Sequence, residues 1–526
     1  MDAIDLYETP PLALGKPVGM NLLSGLKSLG PSTPLPWVVQ KFGGTSLGHF
    51  ASKIVKEVIL PEALENRVAV VCSAISRSTK DNGTTNRLLL ACSRLETDGA
   101  DFSKIIDDVQ LEHIQGAERD IQSLEIRTRL IEKIRSECAS VVKTLNAAYF
   151  LGEISPACVG KVVSAGERLS CHCLAAILQE HGCEATCVDV SELIPSTAAP
   201  VSWTDRGFVD AVAAELSQKV CSVPGIPVIT GYFGLQPAGA LLDLVGRGYT
   251  DLCAALVATG LNAVRLQIWK EVDGVFTADP RHVPDARLLY WLTISELRSL
   301  TFYGSEVVHC AAVDVARDRN LTMSIRNVAD PLGPGTLVTP KVDASNDQLV
   351  AITKKNYMAI LSVRSSAGTS GFKFHSLISN ILQKWQLTVE LVTTSESGVS
   401  LAIPMPENEA YGAHQPADVR LWWAIEALKV HSTAVKVSKN MALLCVVCRL
   451  ASSTDFALAC ILRVLSDLRV PVKMVMHGAI DAIVGCVIEE KYAQFATKVL
   501  HRDLFSVQRV DSPVSETIVP NLDEIK

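Results

Sequence analysis

Residues 37–46 read WVVQKFGGTS: an apolar run, a glutamine, a lysine, a phenylalanine, two glycines and two small hydroxyls. The apolar run fits a buried strand, and the glycine pair fits a turn into a helix. A purely structural turn needs the glycines but not the lysine. A phosphate-binding loop uses both: glycines let backbone N–H groups approach an anion at a helix start, and Lys41 adds a point charge. The lysine precedes the glycines, so this is not a Walker A loop. Taken alone, KFGGTS also fits a Gly-Gly turn with a surface lysine.

Outward from this stretch, strand and helix patterns alternate. RVAVVCSAIS, EATCVDVSEL, GIPVITGYFG and AVRLQIWKEV read as strands, and TTNRLLLACSRL and TDLCAALVATGL carry helical spacing. The alternation from Trp37 to about Pro340 predicts an α/β domain with a mainly parallel sheet covered on both faces. Beyond it, residues 350–403 and 441–488 each read strand, helix, strand, polar turn, strand. A repeated βαββ unit is a small sandwich that pairs edge to edge with another copy. The expected division is a disordered leader over 1–36, a catalytic domain over 37–340, a first βαββ unit over 341–404, a linker over 405–438 with one helix-like stretch (LWWAIEAL), and a second unit with a tail over 439–526.

Composition bounds the function. The chain has 526 residues, 48% hydrophobic and 20% charged, with a net charge of -7. That is globular, long enough for several cores, and unsuited to non-specific nucleic-acid binding. No run of 18 apolar residues predicts a membrane span. The leader is rich in Pro, Gly, Ser and Leu, and lacks the arginines of a transit peptide while carrying Asp2, Asp5 and Glu8. The 15 scattered cysteines, with no secretory signal before them, point to a reducing compartment, and the cytoplasm is the expected location. The CxxC pair Cys445 and Cys448 lies on a strand-like segment, where positions three apart face opposite sides, so two core thiols are expected. Cys171, His172 and Cys173 sit in an apolar helical stretch, and core packing is again favoured over a metal.

Three more clusters carry charge. GRGYTD places Arg247, able to fork onto a carboxylate or phosphate, before Thr250 and Asp251, which also fit a helix cap. KEVDGVFTADPR, residues 270–281, is polar and turn-rich after a strand, and fits a long βα loop as well. SAGERLS sets Glu167 at the start of a helical run, where a first-turn carboxylate is also favourable.

In this order KFGGTS, SAGERLS, GYFG, GRGYTD and VDGVFTADPR resemble the aspartate kinases of the amino-acid kinase family. The likeness is nearest to the fungal type, which shows GRGYTDLCAAL, WKEVDG and TADPR. It runs from about residue 37 to the end, and the tandem βαββ units resemble that family's ACT domains. The resemblance implies an α/β amino-acid kinase three-layer sandwich followed by two α+β ACT domains. It implies ATP-dependent phosphorylation of the L-aspartate side-chain carboxylate to 4-phospho-L-aspartate, the first step toward threonine and methionine. Such transfer needs positioning and charge neutralisation, and the carboxylate is already ionised, so no general base is required.

By the same resemblance Lys41 lies against the transferring phosphoryl group, and Gly43, Gly44, Thr45 and Ser46 offer donors to phosphate or substrate. Glu167 takes the substrate ammonium and Arg247 its α-carboxylate. Tyr232 lines the aspartate pocket beside Thr250, and Asp251 organises substrate and lysine. Asp273, Phe276, Asp279 and Arg281 form the nucleotide loop, with Phe276 against the base and Arg281 near phosphate. Magnesium bridges the phosphates with no direct protein ligand expected. A homo-oligomer is implied. The chain departs from the family pattern at His309-Cys310, where His-Pro is usual, and in HGAIDAIVG, where His477, Ile480, Ala482, Val484 and Gly485 replace usual residues. These departures predict weakened threonine inhibition with catalysis retained, as in a copy serving fungal secondary metabolism. The rival expectations are another kinase of the superfamily and a non-catalytic ACT protein.

Overall fold

A computed structural model describes residues 35–77, 82–97, 102–194, 206–236, 239–240, 248–305, 307–340, 349–365, 371–395, 398–405, 417–478 and 482–506. Arg247, Ile480 and almost all of the expected leader lie outside them. The unit Pro36–Lys526 carries the fold described below.

The first part runs β1 (Trp37–Phe42), α1 (Gly44–Ile54), α2 (Leu60–Ala63), β2 (Arg67–Cys72), α3 (Thr84–Thr97), α4 (Phe102–Asp120), α5 (Leu124–Leu151), α6 (Pro156–Glu180), β3 (Ala185–Val188), α7 (Arg206–Cys221) and β4 (Ile226–Thr230). A two-residue hairpin, β5 (Leu235–Gln236) and β6 (Gly239–Ala240), leads to α8 (Tyr249–Gly260) and β7 (Arg265–Lys270). Then come β8 (Val275–Phe276), β9 (Leu288–Leu289), β10 (Trp291–Thr293), α9 (Ile294–Phe302), α10 (Cys310–Asp318), β11 (Met323–Asn327) and β12 (Thr336–Thr339).

Eight of these strands form one sheet in the order β10-β12-β11-β7-β1-β2-β4-β3, parallel except between β11 and β12. In β1 and β2 five consecutive residues are buried, which requires cover on both faces and explains the unbroken apolar runs in sequence. The glutamine inside WVVQKF is buried because it has a partner: Gln40 Nε2 donates to Gln267 Oε1 of β7 at 2.9 Å. The helix α8 is buried along most of its length and packs on β1 and β7.

The second part runs β13 (Leu349–Ser365), α11 (Gly371–Lys384), β14 (Leu391–Ser395), β15 (Gly398–Pro404), α12 (Ala417–Lys429), β16 (Ser432–Cys448), α13 (Thr454–Asp467), β17 (Met474–His477), β18 (Ile483–Glu489) and α14 (Glu490–Ser506). Its six strands make a single antiparallel sheet, β14-β15-β13-β16-β18-β17. Each βαββ repeat is present, but the two are interlocked. The first half of β13, Leu349 to Lys355, pairs with the second half of β16, and Leu349 and Ile352 enter the core under α13 and α14. The second half of β13 pairs with β15 and puts Ala359, Leu361 and Val363 into the other core, under α11 and α12. Tyr357 and Asn440, both with φ of 56°, sit where the register shifts.

Two sequence expectations change here. Residues 405–438 include a core helix, since Leu421, Ala424 and Leu428 of α12 are buried, and β16 begins at Ser432, inside the stretch read as linker. The polar composition of 406–416 masked this. Cys445 and Cys448 are both buried and face different cores, as their spacing predicts. Cys171 is buried in the core of the first part. No described helix is long and apolar enough to cross a membrane.

Candidate active site

Strand β1 delivers Lys41 to the carboxyl end of the parallel sheet, where ligands bind in open α/β folds. Its ammonium lies 2.7 Å from Asp251 Oδ1, and both side chains are buried, at 7% and 3% exposure. Asp251 stands in the first turn of α8, after Gly248, whose φ of 110° starts the helix without a side-chain cap. Neither Thr250 nor Asp251 is the cap that the sequence also allowed. Both instead turn into the site. Asp251 Oδ2 accepts the His309 N–H at 3.1 Å and lies 3.7 Å from the Lys270 ammonium. Burial pushes the Asp251 carboxyl up, but Lys270, Lys41 and the His309 N–H outweigh it and hold the group well below the usual carboxylate range. It is therefore a fixed negative charge.

Glu167 is buried in the middle of α6, not in a first turn. The helix starts earlier, where Ser155 caps the Cys158 N–H and Pro156 takes the first position. Its carboxylate accepts the Tyr232 N–H and, at 3.2 Å, the Thr250 hydroxyl, with the Tyr249 hydroxyl also bonded. Burial pushes its pKa up to about 7, against the pull of those donors and of Lys41. Tyr232 is fully buried and meets Tyr249 edge-on, with ring centroids 5.5 Å apart.

The two glycines of KFGGTS separate into two roles. A Cβ on Gly44 would fall 2.0 Å from the Ala74 carbonyl oxygen, so packing alone demands that glycine. A Cβ on Gly43 would meet only Ser46 Oγ, at 3.7 Å, so the protein's own packing does not demand it. Gly43 is the N-cap of α1 and offers no side-chain cap, which leaves the first-turn N–H groups, including that of half-buried Thr45, available to an anion. Ser46 is buried, and its hydroxyl donates to Glu271 Oε1 at 2.6 Å.

The loop after β7 is more open. Asp273 is exposed and accepts from Asn327 Nδ2 at 2.7 Å. Phe276 is half-buried in β8. Asp279 and Arg281 are forked onto each other at 2.7 to 3.1 Å, with Arg281 83% exposed. Burial raises the Asp279 carboxyl, and Arg281 brings it below its ordinary value. From the far part of the chain α14 reaches this loop. Thr277 Oγ1 meets His501 Nε2 at 2.8 Å, and Arg287 donates to the Phe505 carbonyl at 2.6 Å.

So Lys41, Thr250, Asp251, Glu167 and Tyr232 converge, although up to 210 residues separate them in sequence. Sequence reasoning missed Tyr249, Lys270, Glu271 and His309. Lys270 and Glu271 were absorbed into a polar loop, yet Lys270 ends β7 and Glu271 follows it, on a strand in register with β1, where Lys41 pairs with Ile268. His309 was noted only beside the His-Cys departure from the family pattern, but it caps α10, accepting the Ala311 N–H, and its own N–H holds Asp251. Among the described residues no group of three or more His, Cys, Asp or Glu side chains is placed to hold a metal ion.

With this geometry in hand, likeness to known proteins is informative. The model of the amino acid kinase family matches residues 36–327. The aspartokinase of Saccharomyces cerevisiae is 37% identical over 502 residues, which cover 89% of this chain and 93% of that protein. The protein named aspartate kinase FUB3 from Gibberella moniliformis is 35% identical over 511 residues, covering 89% of this chain and 98% of that one. In fold, the chain resembles E. coli aspartokinase III in complex with aspartate and ADP, with a TM-score of 0.72, 24% identity, and 89% and 99% of the two chains covered.

Proposed function

Because the chain belongs to the amino acid kinase family, with the aspartokinases as its relatives over most of its length, we propose that it is an aspartate kinase. It transfers the terminal phosphoryl group of ATP to the side-chain carboxylate of L-aspartate. The observation that carries this reading is the buried convergence of Lys41 from the end of β1, Asp251 from the first turn of α8 and Glu167 from the middle of α6. One lysine faces the reacting phosphoryl group, and one buried carboxylate is kept for a cation.

The substrate ammonium docks on Glu167, which Thr250 and the Tyr232 N–H hold in place. Arg247 takes the α-carboxylate, and Tyr232 walls the pocket. The triphosphate lies on the first-turn N–H groups of α1, with Gly43 leaving it room. Thr45 and Ser46 border it, Phe276 flanks the base, and Asp273, Asp279 and Arg281 line the nucleotide loop. Asp251 fixes Lys41 in place, so little reorganisation is needed as charge develops on the phosphoryl oxygens. Magnesium, carried by the triphosphate, supplies further charge neutralisation. The acidic groups around Lys41 fit that arrangement: Asp251, Glu167 and Glu271 are each engaged by protein donors.

The chain acts in the cytoplasm as a homo-oligomer, for which the open edges of β14 and β17 offer pairing surfaces. Threonine inhibition is weakened. In support, His477 bonds to Thr454 Oγ1 at 3.2 Å and lies 3.1 Å from Asp455, tying the strand β17 to the start of α13. The product feeds a specialised pathway, a reading suggested by the likeness to aspartate kinase FUB3. The test is ATP-dependent formation of aspartyl hydroxamate in hydroxylamine, run across a panel of amino acids, with and without threonine. Product from aspartate alone, insensitive to threonine, is expected. Turnover of glutamate or acetylglutamate instead would overturn the substrate, and inhibition by micromolar threonine would overturn the regulatory claim.

A further inference from the structure

We propose that Cys187 is a peroxide-reactive thiol, and that Cys171 resolves it into a disulfide tying β3 to α6. The site lies outside the kinase machinery and stands independently of the kinase reading.

Three elements build it. A cavity of about 260 Å³ opens between α5, α6 and β3, walled by Arg129 and Lys133 from α5, His172 from α6 and half-buried Cys187 from β3. Cys187 pairs with Val228 of β4, and Cys72 of β2 pairs with Thr230 of the same strand. Paired residues of neighbouring strands share a face, and so do alternate residues of one strand, so Cys72 and Cys187 point to one side of the sheet. Helix α6 packs there: Ala175 lines the cavity with Cys187, and fully buried Cys171 lies one helical turn before Ala175. The Cys171 thiol is thereby a hydrogen-bonding neighbour of both Cys187 and Cys72.

Core packing accounts for Cys72 and Cys171, which are fully buried. It does not account for an imidazole and two cations around a thiol that borders a cavity. An electropositive, partly exposed setting is the one in which a thiol reacts. The Cys171 S–H and the His172 ring both favour the Cys187 thiolate, and they bring its pKa below the ordinary thiol value against burial and the Asp189 charge. Cys171 moves the other way, pushed up by burial and by its two thiol neighbours, so it keeps its proton. The roles therefore divide: Cys187 attacks the oxidant, and Cys171 follows. Glu137 Oε1 lies 3.9 Å from His172 Nε2, on the far side of the pair.

With a hydroperoxide as oxidant the steps balance. The Cys187 thiolate forms an S–O bond as the O–O bond breaks, and hydroxide leaves. Cys171 then attacks that sulfur: the S–S bond forms, the S–O bond breaks, and the departing hydroxide takes the Cys171 proton as water. The two thiols lose two electrons, and hydrogen peroxide becomes two waters.

The experiment treats the reduced full-length protein with hydrogen peroxide, traps sulfenic acid with dimedone and maps the cysteines by mass spectrometry. Exposed Cys221 reports plain accessibility. Cys187 should oxidise at least about 10-fold faster than Cys221 and end as the Cys171–Cys187 disulfide. Cys171→Ala should leave Cys187 as its dimedone adduct, and His172→Asn should slow oxidation of Cys187 by about 10-fold while Cys221 is unchanged. Oxidation of Cys187 no faster than that of Cys221 would overturn the proposal. A disulfide through Cys72, or sulfinic acid at Cys187 with no disulfide, would overturn the role of Cys171. The wild-type map decides these points even where a variant fails to fold, and it needs no turnover, so failure of the kinase reading would show separately.

Discussion

The strand ends around Lys41 and the loop around Arg281 both carry opposite charges, but they are built in opposite ways. Lys41 and Asp251 are buried and meet across 210 residues of chain, held by the packing of α8 on β1 and β7. Asp279 and Arg281 are two residues apart, and Arg281 is mostly exposed. The first arrangement exists only because the whole sheet exists, and it is rigid before any ligand arrives. The second is local and solvated, so it can open when a nucleotide offers phosphates instead. The contrast separates groups that must be in place for chemistry from groups that need only be within reach.

Substitutions sharpen that contrast. Lys41→Ala should have the largest effect: hydroxamate formation should fall by about 1,000-fold or more, since it removes a fixed cation and strands a buried carboxylate. A residual rate within ten-fold of wild type would contradict its placement. Next comes the pH dependence set by Glu167. A carboxyl whose pKa is raised on folding holds its proton more tightly in the folded chain. That contribution to stability is complete below the ordinary value of 4.5 and is lost as the pH rises through about 7. Denaturant titrations of the ligand-free protein should therefore show wild type losing on the order of 3 kcal/mol relative to Glu167→Gln between these limits. A pH-independent difference would contradict a raised pKa at Glu167.

The same variant should raise the KM for aspartate by about 30-fold with a smaller change in kcat, the scale of one charged hydrogen bond. Wild-type KM should fall as the pH rises through about 7, while the variant's KM should stay flat. The smallest effect belongs to Arg281→Ala. An exposed local ion pair contributes at most about 0.5 kcal/mol to stability, so the melting temperature should hardly move. The KM for ATP should rise only about three-fold. A larger loss at Arg281 than at Glu167 would reverse the contrast between the buried and the exposed pair.

The sequence made the strands of the first part legible because parallel strands buried on both faces are unbroken apolar runs. It also marked Lys41, a charge that a plain turn does not need, whereas Glu167, Thr250 and Asp251 fitted a helix start equally well and stood out, with Tyr232, only through the resemblance of the ordered motifs. What it hid was adjacency. Nothing in the residues around Lys270 says that β7 lies beside β1, so a lysine facing Asp251 looked like loop polarity. Glu167 looked like a helix start because Ala-Gly precedes it, although α6 had begun eleven residues earlier. In the second part, the strand, helix, strand, turn, strand order of each repeat was clear, but a 17-residue strand serving two cores in succession has no local signature.

That long strand has a consequence for the order of events at the ribosome. Leu349 to Lys355 can complete their pairing only after Leu443 to Cys448 have emerged, about 90 residues later. At roughly 5–20 residues per second this is a wait on the order of ten seconds, during which a row of apolar side chains and unpaired amides stands open. The nascent chain must pass this interval shielded or slowed. A chain released early, anywhere before β16, would keep its first part but would present that edge to any other chain able to pair with it.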